Sequence, residues 1–319
     1  MASRLKSANP QQLRALVEAQ LATPAGRQVQ AIAGSVRAAA GQTAGGDPDR
    51  VVAAVLGYGS CLRDVSPAEG LADFYVLMAD GANVSTNPVA RLGCRIAAPN
   101  VYYAECAHEG QTLRSKYAVL PLSQFERCVS EKTQNPYFWA RFAQPSALIW
   151  VQEGYEERVV DAIQTAIVTM LHNGLSLADG ETDHGDLWLT ALQATYGTEL
   201  RSESADRARH ILSTNPQWYD AVARAVVGDD LAAALDRLSD RKWAKGRSEW
   251  KKRRFRGKAL SVLRLIKAAF TFQGGADYLA WKIERHSGVK VKLSGWQRRH
   301  PILASVWLMP RLYFQGAFK

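Results

Sequence analysis

The hydrophobic pattern of the chain changes near residue 155, and this change constrains the fold more than any other feature. Before it, short apolar runs rich in β-branched residues lie between turn sequences, as buried strands do. Four such strands are predicted, at 51–56, 73–78, 100–105 and 116–120, with a helix at 122–129. After it, apolar residues recur at helical spacing over 159–173, 184–197, 204–213 and 216–239. The pattern predicts an α+β (mixed α/β) fold, with a sheet domain followed by helices.

The turn sequence at 44–49 separates an N-terminal segment from the first strand. This segment is rich in Ala, Gln and Arg, which suits a transit peptide and an amphipathic helical extension equally, and Leu13, Val17 and Leu21 repeat at helical spacing. Four parts are therefore predicted: an extension over 1–46, a sheet domain over 47–150, a helical domain over 151–240 and a basic amphipathic region over 241–319. A winged-helix-like arrangement of the helical domain is left open.

Charge is divided unevenly along the 319 residues. Residues 1–240 hold 20 Lys and Arg against 27 Asp and Glu, net −7, whereas 241–319 hold 20 against 3, net +17. Such an asymmetry indicates a polyanionic partner, either a nucleic acid or an anionic membrane. The mean hydropathy of −0.20, and the lack of any run near the roughly 20 apolar residues that a spanning helix needs, exclude a polytopic membrane protein.

The four cysteines (Cys61, Cys94, Cys106 and Cys128) form no Cys-x-x-Cys pair and have no histidine at zinc-ligand spacing. We expect free thiols in a reducing compartment. The N-terminus lacks the apolar core of a secretory signal, so none is expected.

The sequence Gly57-Tyr58-Gly59-Ser60 follows the first strand, and Asp73 begins the second. This order resembles the nucleotidyltransferase superfamily, in which a Gly-Ser turn after a strand binds a nucleoside triphosphate. A glycine lets the backbone approach the phosphates closely, and a serine with its backbone N–H can bind phosphate oxygens. Asp73 would hold Mg²⁺, which neutralises the triphosphate and the leaving pyrophosphate.

The chain departs from that superfamily at the second metal-binding acid, which is Tyr75 here. The missing carboxylate has to come from elsewhere or be absent, and Asp64, Asp80 and Glu105 are the candidates. We favour Glu105, because it ends the third predicted strand, where a third metal carboxylate often lies. Asp73 and Glu105 are therefore the predicted Mg²⁺ ligands.

Two later segments resemble one family within that superfamily. Gly110–Val119 (GQTLRSKYAV) and Tyr137–Pro145 (YFWARFAQP) are similar to motifs of the mitochondrial-type CDP-diacylglycerol synthases, the translocator-maintenance family of phosphatidate cytidylyltransferases. Further similar segments follow the family's order, at Tyr58–Ser60, Asp73–Phe74, Val101–Tyr103, Ala194–Arg201 and Ala259–Arg285. The chain departs from the family pattern at four positions, Ala118, Ala140, Gln144 and Glu199.

The resemblance implies a peripheral enzyme that converts CTP and phosphatidate into CDP-diacylglycerol and pyrophosphate, with Mg²⁺ as cofactor. Asp73, Lys116 and Arg141 would be catalytic. Lys116 would stabilise the charge on the pyrophosphate, and Arg141 would clamp a phosphate with its planar fork. Glu199 and Arg201 are weaker candidates for substrate binding, since a structural ion pair explains them equally well.

A basic segment with interleaved aromatic residues begins the last quarter of the chain, and 240–258 is predicted to be a linker. Such a composition suits single-stranded nucleic acid and an anionic membrane surface alike. We favour the membrane, because amphipathic helices are predicted over 260–272 and 276–285 and a short apolar run follows at 301–309. The predicted membrane-binding residues are Trp243, Trp250, Lys251, Lys252, Arg253, Arg254 and Arg256.

Three functions are therefore carried forward. The first is the phosphatidate cytidylyltransferase at the cytoplasmic face of an inner membrane (the matrix side in a mitochondrion), with CTP and phosphatidate as partners and no nucleic acid. The second is a nucleotidyltransferase for another phospholipid-like or phosphonate acceptor. The third is a non-enzymatic nucleic-acid-binding protein on the same scaffold. A homodimer is left open.

Overall fold

A computed structural model describes residues 6–62, 70–178, 182–199, 205–236 and 240–271, and beyond them 276–277, 280, 283–284, 287, 289, 291–299 and 304. Five strands form one mixed sheet in the order β3-β4-β2-β1-β5. Strands β2 and β4 are parallel, and the other neighbouring pairs are antiparallel. The strands are β1 (Val52–Tyr58), β2 (Ala72–Met78), β3 (Asn100–His108), β4 (Gln111–Pro121) and β5 (Ser146–Val151).

The four predicted strands are confirmed, and β5 is a fifth that the sequence pattern did not reveal. The helices before residue 155 are α1 (Pro10–Leu21), α2 (Arg27–Ala44), α3 (Pro48–Val51), α4 (Pro88–Ala97), α5 (Leu122–Val129) and α6 (Tyr137–Phe142). Those after it are α7 (Glu156–Leu175), α8 (His184–Tyr196), α9 (Ala205–Ser213), α10 (Pro216–Val227), α11 (Leu231–Asp236), α12 (Asp240–Thr271) and α13 (Gly295–Arg299). The α+β class is therefore confirmed, and the described part of 156–236 contains helices and no strand, so it lacks the β-hairpin of a winged helix.

Helices cover both faces of the sheet. The central strands β1 and β2 are buried along almost their whole length, because side chains alternate between two covered faces. On one face Tyr75 packs against Phe138 and Phe142 of α6. On the other face α2 crosses the sheet, and its Thr43 bonds the Tyr117 hydroxyl.

The predicted helical periodicity of the N-terminal segment is confirmed, but this segment is not an appended extension. Leu13, Val17 and Leu21 are buried, and α1 packs against α7 and α10. Helix α2 packs on the sheet through a second apolar stripe that includes Ile32 and Val36. One continuous hydrophobic core therefore joins residues of all three predicted parts before 240.

The prediction of a basic linker at 240–258 is wrong. Helix α12 runs unbroken for 32 residues through this segment and through the predicted helix at 260–272. Helix α12 lies close against the loop after α8. A Cβ on Gly257 would fall 2.6 Å from the Thr198 carbonyl oxygen, so only glycine permits this approach. The predicted helix at 276–285 and the run at 301–309 fall mostly outside the described residues.

All four cysteine thiols are free, as predicted. Within the described ranges, no helix has the length and apolarity needed to cross a lipid bilayer.

Candidate active site

Strand register places the predicted polar residues in one row across the sheet. Tyr58 of β1 pairs with Asp73 of β2, Asp73 with Lys116 of β4, and Lys116 with Tyr103 of β3. Residues paired in this way project from the same face of a sheet. Lys116 Nζ lies 3.6 Å from Asp73 Oδ1, and both side chains are partly exposed. Two residues 43 positions apart in the sequence thus form an ion pair because β2 and β4 are parallel neighbours.

The turn after β1 begins at Gly59, whose φ is +61°, a conformation that favours glycine. A single turn of 3-10 helix follows, Gly59–Leu62. The Cys61 thiol donates from Sγ to the Asp73 carbonyl oxygen at 3.2 Å and fixes this turn beside β2. Burial raises the pKa of the Cys61 thiol to about 12, so the thiol stays neutral. The Ser60 side chain lies outside the described residues.

Tyr75 stands where the resemblance led us to expect a second metal-binding acid. Its ring is buried, and its Oη donates to Tyr137 Oη at 3.2 Å. Burial raises the pKa of Tyr75 well above its usual value. Tyr75 is therefore a neutral phenol inside an aromatic cluster, and it offers a metal ion no charge.

Arg141 reaches the site from α6. Its Nη1 donates to Tyr58 Oη at 3.3 Å, and its guanidinium carbon lies 5.3 Å and 4.8 Å from the ring centroids of Tyr58 and Tyr137. Among the described residues, no carboxylate forms a salt bridge with Arg141. A guanidinium held mainly by aromatic rings keeps donors available for an anion.

Tyr137 lies between two guanidinium groups, because Arg264 of α12 is 4.0 Å from the same ring centroid. Burial alone would raise the pKa of the Tyr137 phenol, but Arg141 and Arg264 outweigh burial and lower the pKa. Helix α12 thus contributes a positive charge directly behind the wall of the site.

These groups border a cavity of about 490 Å³. Its lining includes four residues that the sequence singled out as catalytic or nucleotide-binding: Tyr58, Gly59, Asp73 and Arg141. Glu199, the weaker substrate-binding candidate, also lines it, whereas Arg201 lies outside the described residues. The remaining predicted nucleotide-binding residue, Gly57, is a buried strand residue next to this wall, and Lys116 adjoins it through Asp73.

The opposite wall was missed by sequence reasoning. It is built by Gln20 and Thr23 at the end of α1, and by Arg207, His210 and Asn215 around α9. These residues come from segments almost 200 positions apart, so no local motif joins them. Their common property is polarity at helix ends, which in a sequence indicates only a solvated surface.

The predicted metal ligand Glu105 does not reach Asp73. Its Oε1 accepts from Tyr103 Oη at 2.6 Å and lies 3.3 Å from Arg114 Nε. Strand β4 separates β3 from β2, and two inter-strand spacings amount to about 10 Å. The pair Asp73–Glu105 therefore does not fit one Mg²⁺ ion, and the described residues contain no cluster of three or more metal-binding side chains. Asp73 and Glu199 are the two carboxylates among the residues that line the cavity, and one carboxylate suffices for a Mg²⁺ ion that is bound mainly by phosphates.

The predicted membrane-binding set divides in two. Trp250 and Arg253 are buried, so their assignment to a membrane surface is wrong. Trp250 Nε1 donates to the Asn173 carbonyl oxygen at 3.0 Å, and the Arg253 guanidinium packs 5.3 Å from the Trp250 ring centroid. The other four described members are exposed: Lys251, Lys252, Arg254 and Arg256. The Trp243 side chain lies outside the described residues.

The fold defines this chain as an α+β protein with a five-stranded mixed sheet and a cavity at one end of its central strands, lined by polar and apolar side chains alike. No protein-family profile and no curated protein sequence matches it. The arrangement of side chains around the cavity therefore carries the functional argument.

Proposed function

We propose that this protein is a nucleotidyltransferase that transfers CMP from CTP to phosphatidate and releases pyrophosphate. The observation that carries the proposal is the convergence of the Gly59 turn, the Asp73 carboxylate and the Arg141 guanidinium on one cavity, with Lys116 paired to Asp73 beside it. Its volume of about 490 Å³ lies in the usual range for a small-molecule site. The sequence motifs that resemble the cytidylyltransferase family supply the choice of nucleotide and acceptor.

The reaction requires one in-line displacement. An oxygen of the phosphatidate phosphate attacks the α-phosphorus of CTP, a new P–O–P bond forms, and the bond from the α-phosphorus to the bridging oxygen breaks. The electron pair of that bond leaves with pyrophosphate. Because the attacking phosphate is already ionised at neutral pH, the protein need not supply a general base.

Positioning and charge stabilisation are therefore the main tasks of the side chains. Arg141 is suited to hold phosphate oxygens, since its fork faces the cavity and donates there to a phenol, while the Glu199 carboxylate acts on it without forming a salt bridge. Lys116 would offset the negative charge that grows on pyrophosphate. Asp73 orients Lys116 and would contact Mg²⁺ that enters with CTP. When bound, that Mg²⁺ supplies further charge neutralisation on the phosphates.

The test uses the full chain with CTP, Mg²⁺ and vesicles that contain phosphatidate. We expect pyrophosphate and CDP-diacylglycerol to form in equal amounts. A coupled assay detects the pyrophosphate, and mass spectrometry detects the CDP-diacylglycerol. Asp73→Asn should lower turnover by about a hundredfold or more, because it removes the only charged partner of Lys116 in the row.

A matched control is Asp161→Asn, an exposed acid on α7 that pairs with Arg14 away from the cavity. It should keep full turnover. Pyrophosphate release with no CDP-diacylglycerol would show a different acceptor, such as another phospholipid-like or phosphonate group. No pyrophosphate release with any nucleoside triphosphate, from protein with an unchanged circular dichroism spectrum, would refute the proposal.

A further inference from the structure

Helix α4 exposes a stripe of large apolar side chains. Val89, Leu92 and Ile96 are 62%, 58% and 59% exposed, and they lie at positions i, i+3 and i+7 of the helix. Such positions fall on one side of an α-helix. Three neighbouring side chains of this size, each more than half exposed, form a patch of the kind that marks an interaction surface.

The opposite side of α4 anchors the helix in the protein. Ala90, Cys94 and Ala97 are buried, and the Asn87 side chain caps the first turn by accepting from the Val89 backbone N–H at 2.8 Å. Gln124 of α5 donates to the Cys94 carbonyl oxygen at 2.9 Å. The small residues face inward and the large ones face outward, so the helix is held in place with its apolar stripe presented to the surroundings.

The charged side chains of α4 and of the neighbouring 250–271 part of α12 are all positive. Arg91 and Arg95 are exposed on α4, and this helix contains no acid. Helix α12 packs beside it, where a Cβ on Gly93 would fall 2.9 Å from Lys267 Cδ. From Trp250 to Thr271, α12 carries eight Lys and Arg and no acid. One turn before Lys267, on the same side of α12, Leu263 is 38% exposed and extends the apolar area.

The junction of the two helices also adjoins the cavity. Arg264 Nε donates to the Ala98 carbonyl oxygen at 2.8 Å, and Lys267 Nζ donates to the Ala97 and Pro99 carbonyl oxygens at 2.5 Å each. Cations are favourable at the carboxyl end of a helix such as α4. Because Arg264 also packs on the Tyr137 ring, the end of α4 is connected through one side chain to the cavity wall.

We propose that the exposed stripe of α4, together with Leu263 of α12 beside it, docks this protein on an anionic lipid bilayer. Helix α4 would lie in the membrane plane with Val89, Leu92 and Ile96 among the acyl chains. Arg91 and Arg95, which border the stripe, would contact anionic head groups. This surface would bring the cavity to the lipid in the proposed transfer reaction, but the docking itself requires no turnover.

Charge selects the bilayer over a second copy of the chain. In a symmetric dimer across this face, Arg91 and Arg95 of one copy would face the same basic surface of the other, with no acid from α4 or the second half of α12 between them. An anionic membrane satisfies both the apolar stripe and its basic border.

The test is flotation of the full chain with vesicles of phosphatidylcholine that contain about one third phosphatidylglycerol. Three variants are compared: Val89→Ser with Leu92→Ser and Ile96→Ser, Arg91→Glu with Arg95→Glu, and Phe255→Ser. Phe255 is the control, because it is 78% exposed but lies in the basic half of α12, away from α4.

We expect the serine variant to bind at least about tenfold more weakly, since it removes three apolar side chains from the bilayer. The charge-reversal variant should lose most of its preference for anionic over neutral vesicles. Phe255→Ser should bind within about threefold of wild type, and all variants should keep their thermal midpoints, because the replaced side chains make few internal contacts.

Unchanged vesicle binding by the serine variant would overturn the proposal. So would wild-type self-association in sedimentation that this variant abolishes while vesicle binding persists, because the stripe would then be an interface between copies. A loss of binding by Phe255→Ser alone would place the docking site on the basic half of α12. Docking through α4 without any conversion of CTP would leave this inference standing and refute the proposed function, so the two can fail separately.

Discussion

The sheet and helix α12 both carry charged side chains. Strand pairing determines the surroundings of each charge in the sheet, whereas position around the helix axis determines them in α12. In the sheet, strand pairing sets the partners: Lys116 meets Asp73, and Arg114 meets Glu105. In α12, rotation about the helix axis turns Arg253 inward and leaves Lys252 exposed. A run of basic residues in the sequence therefore does not show that all of them are exposed, because a helix that packs on the protein has one side covered.

The two regions also meet. Arg264 of α12 and Arg141 of α6 lie against Tyr137, so the site receives charge from a helix whose composition resembles that of a solvent-exposed segment. Cations on the inner side of α12, such as Arg264, therefore lie against the cavity wall, whereas cations on its outer side, such as Lys252, are exposed. Substitutions on the two sides should have different effects.

The largest effect on activity is expected from a substitution in the cavity, at Arg141. Under the proposed function, Arg141→Gln should lower kcat/KM for CTP and phosphatidate by about a hundredfold, because it removes a charge that would bind the substrate phosphates. Arg141→Lys should restore only part of this loss, since an ammonium cannot bind two oxygens in a planar fork. Steady-state pyrophosphate release measures both variants. Full activity of the glutamine variant would show that the guanidinium is only structural.

On the inner side of α12, Trp250→Ala should lower the free energy of unfolding by about 3 kcal/mol, the usual cost of a large-to-small change at a buried aromatic residue. The neighbouring Lys252→Ala should change it by no more than about 0.5 kcal/mol, because Lys252 is exposed. Urea denaturation measures both. If Trp250→Ala instead kept wild-type stability and lost vesicle binding, the side chain would lie on the membrane surface, as the sequence suggested.

A smaller effect is expected at the junction of α12 with α4. Burial lowers the pKa of Lys267 to about 8, whereas an unfolded lysine titrates near about 10.4. Between these values the unfolded chain binds more protons, so this group makes the folded state relatively more stable as pH rises through that window and less stable below it. Lys267→Met should remove this contribution. The slopes of unfolding free energy against pH, from pH 8 to 10.5, compare the two proteins, and parallel slopes would contradict the assignment.

The smallest effect is expected at Glu105. Because this carboxylate binds Tyr103 and Arg114 on the far side of β4, Glu105→Gln should leave turnover and its dependence on Mg²⁺ concentration unchanged. A Mg²⁺ titration of wild type and variant decides the point. A large rise in the Mg²⁺ requirement of the variant would return Glu105 to the metal site and would require β3 to lie closer to Asp73.

Much of the site was predictable because its elements are local. The Gly59 turn follows β1, Asp73 is near the start of β2, and Lys116 lies on a strand, all as the apolar pattern indicates. The register that aligns Asp73 with Lys116 was not predictable, because a short strand can pair in several registers and only the packed core selects one. The cavity wall from α1 and α9 was missed for a similar reason, since its residues meet only after α1 packs on α7 and α10.

By itself, the sequence determined the class of fold, four of the five strands, the helical character of the N-terminal segment and the residues of the glycine turn. These follow from periodicity and local backbone preference, which act over a few residues. The tertiary structure decided that Glu105 is not a partner of Asp73, that Trp250 and Arg253 belong to the interior, and that α4 presents its apolar stripe outward. Each of these depends on which distant surface covers a given face, and close packing of the whole chain determines that.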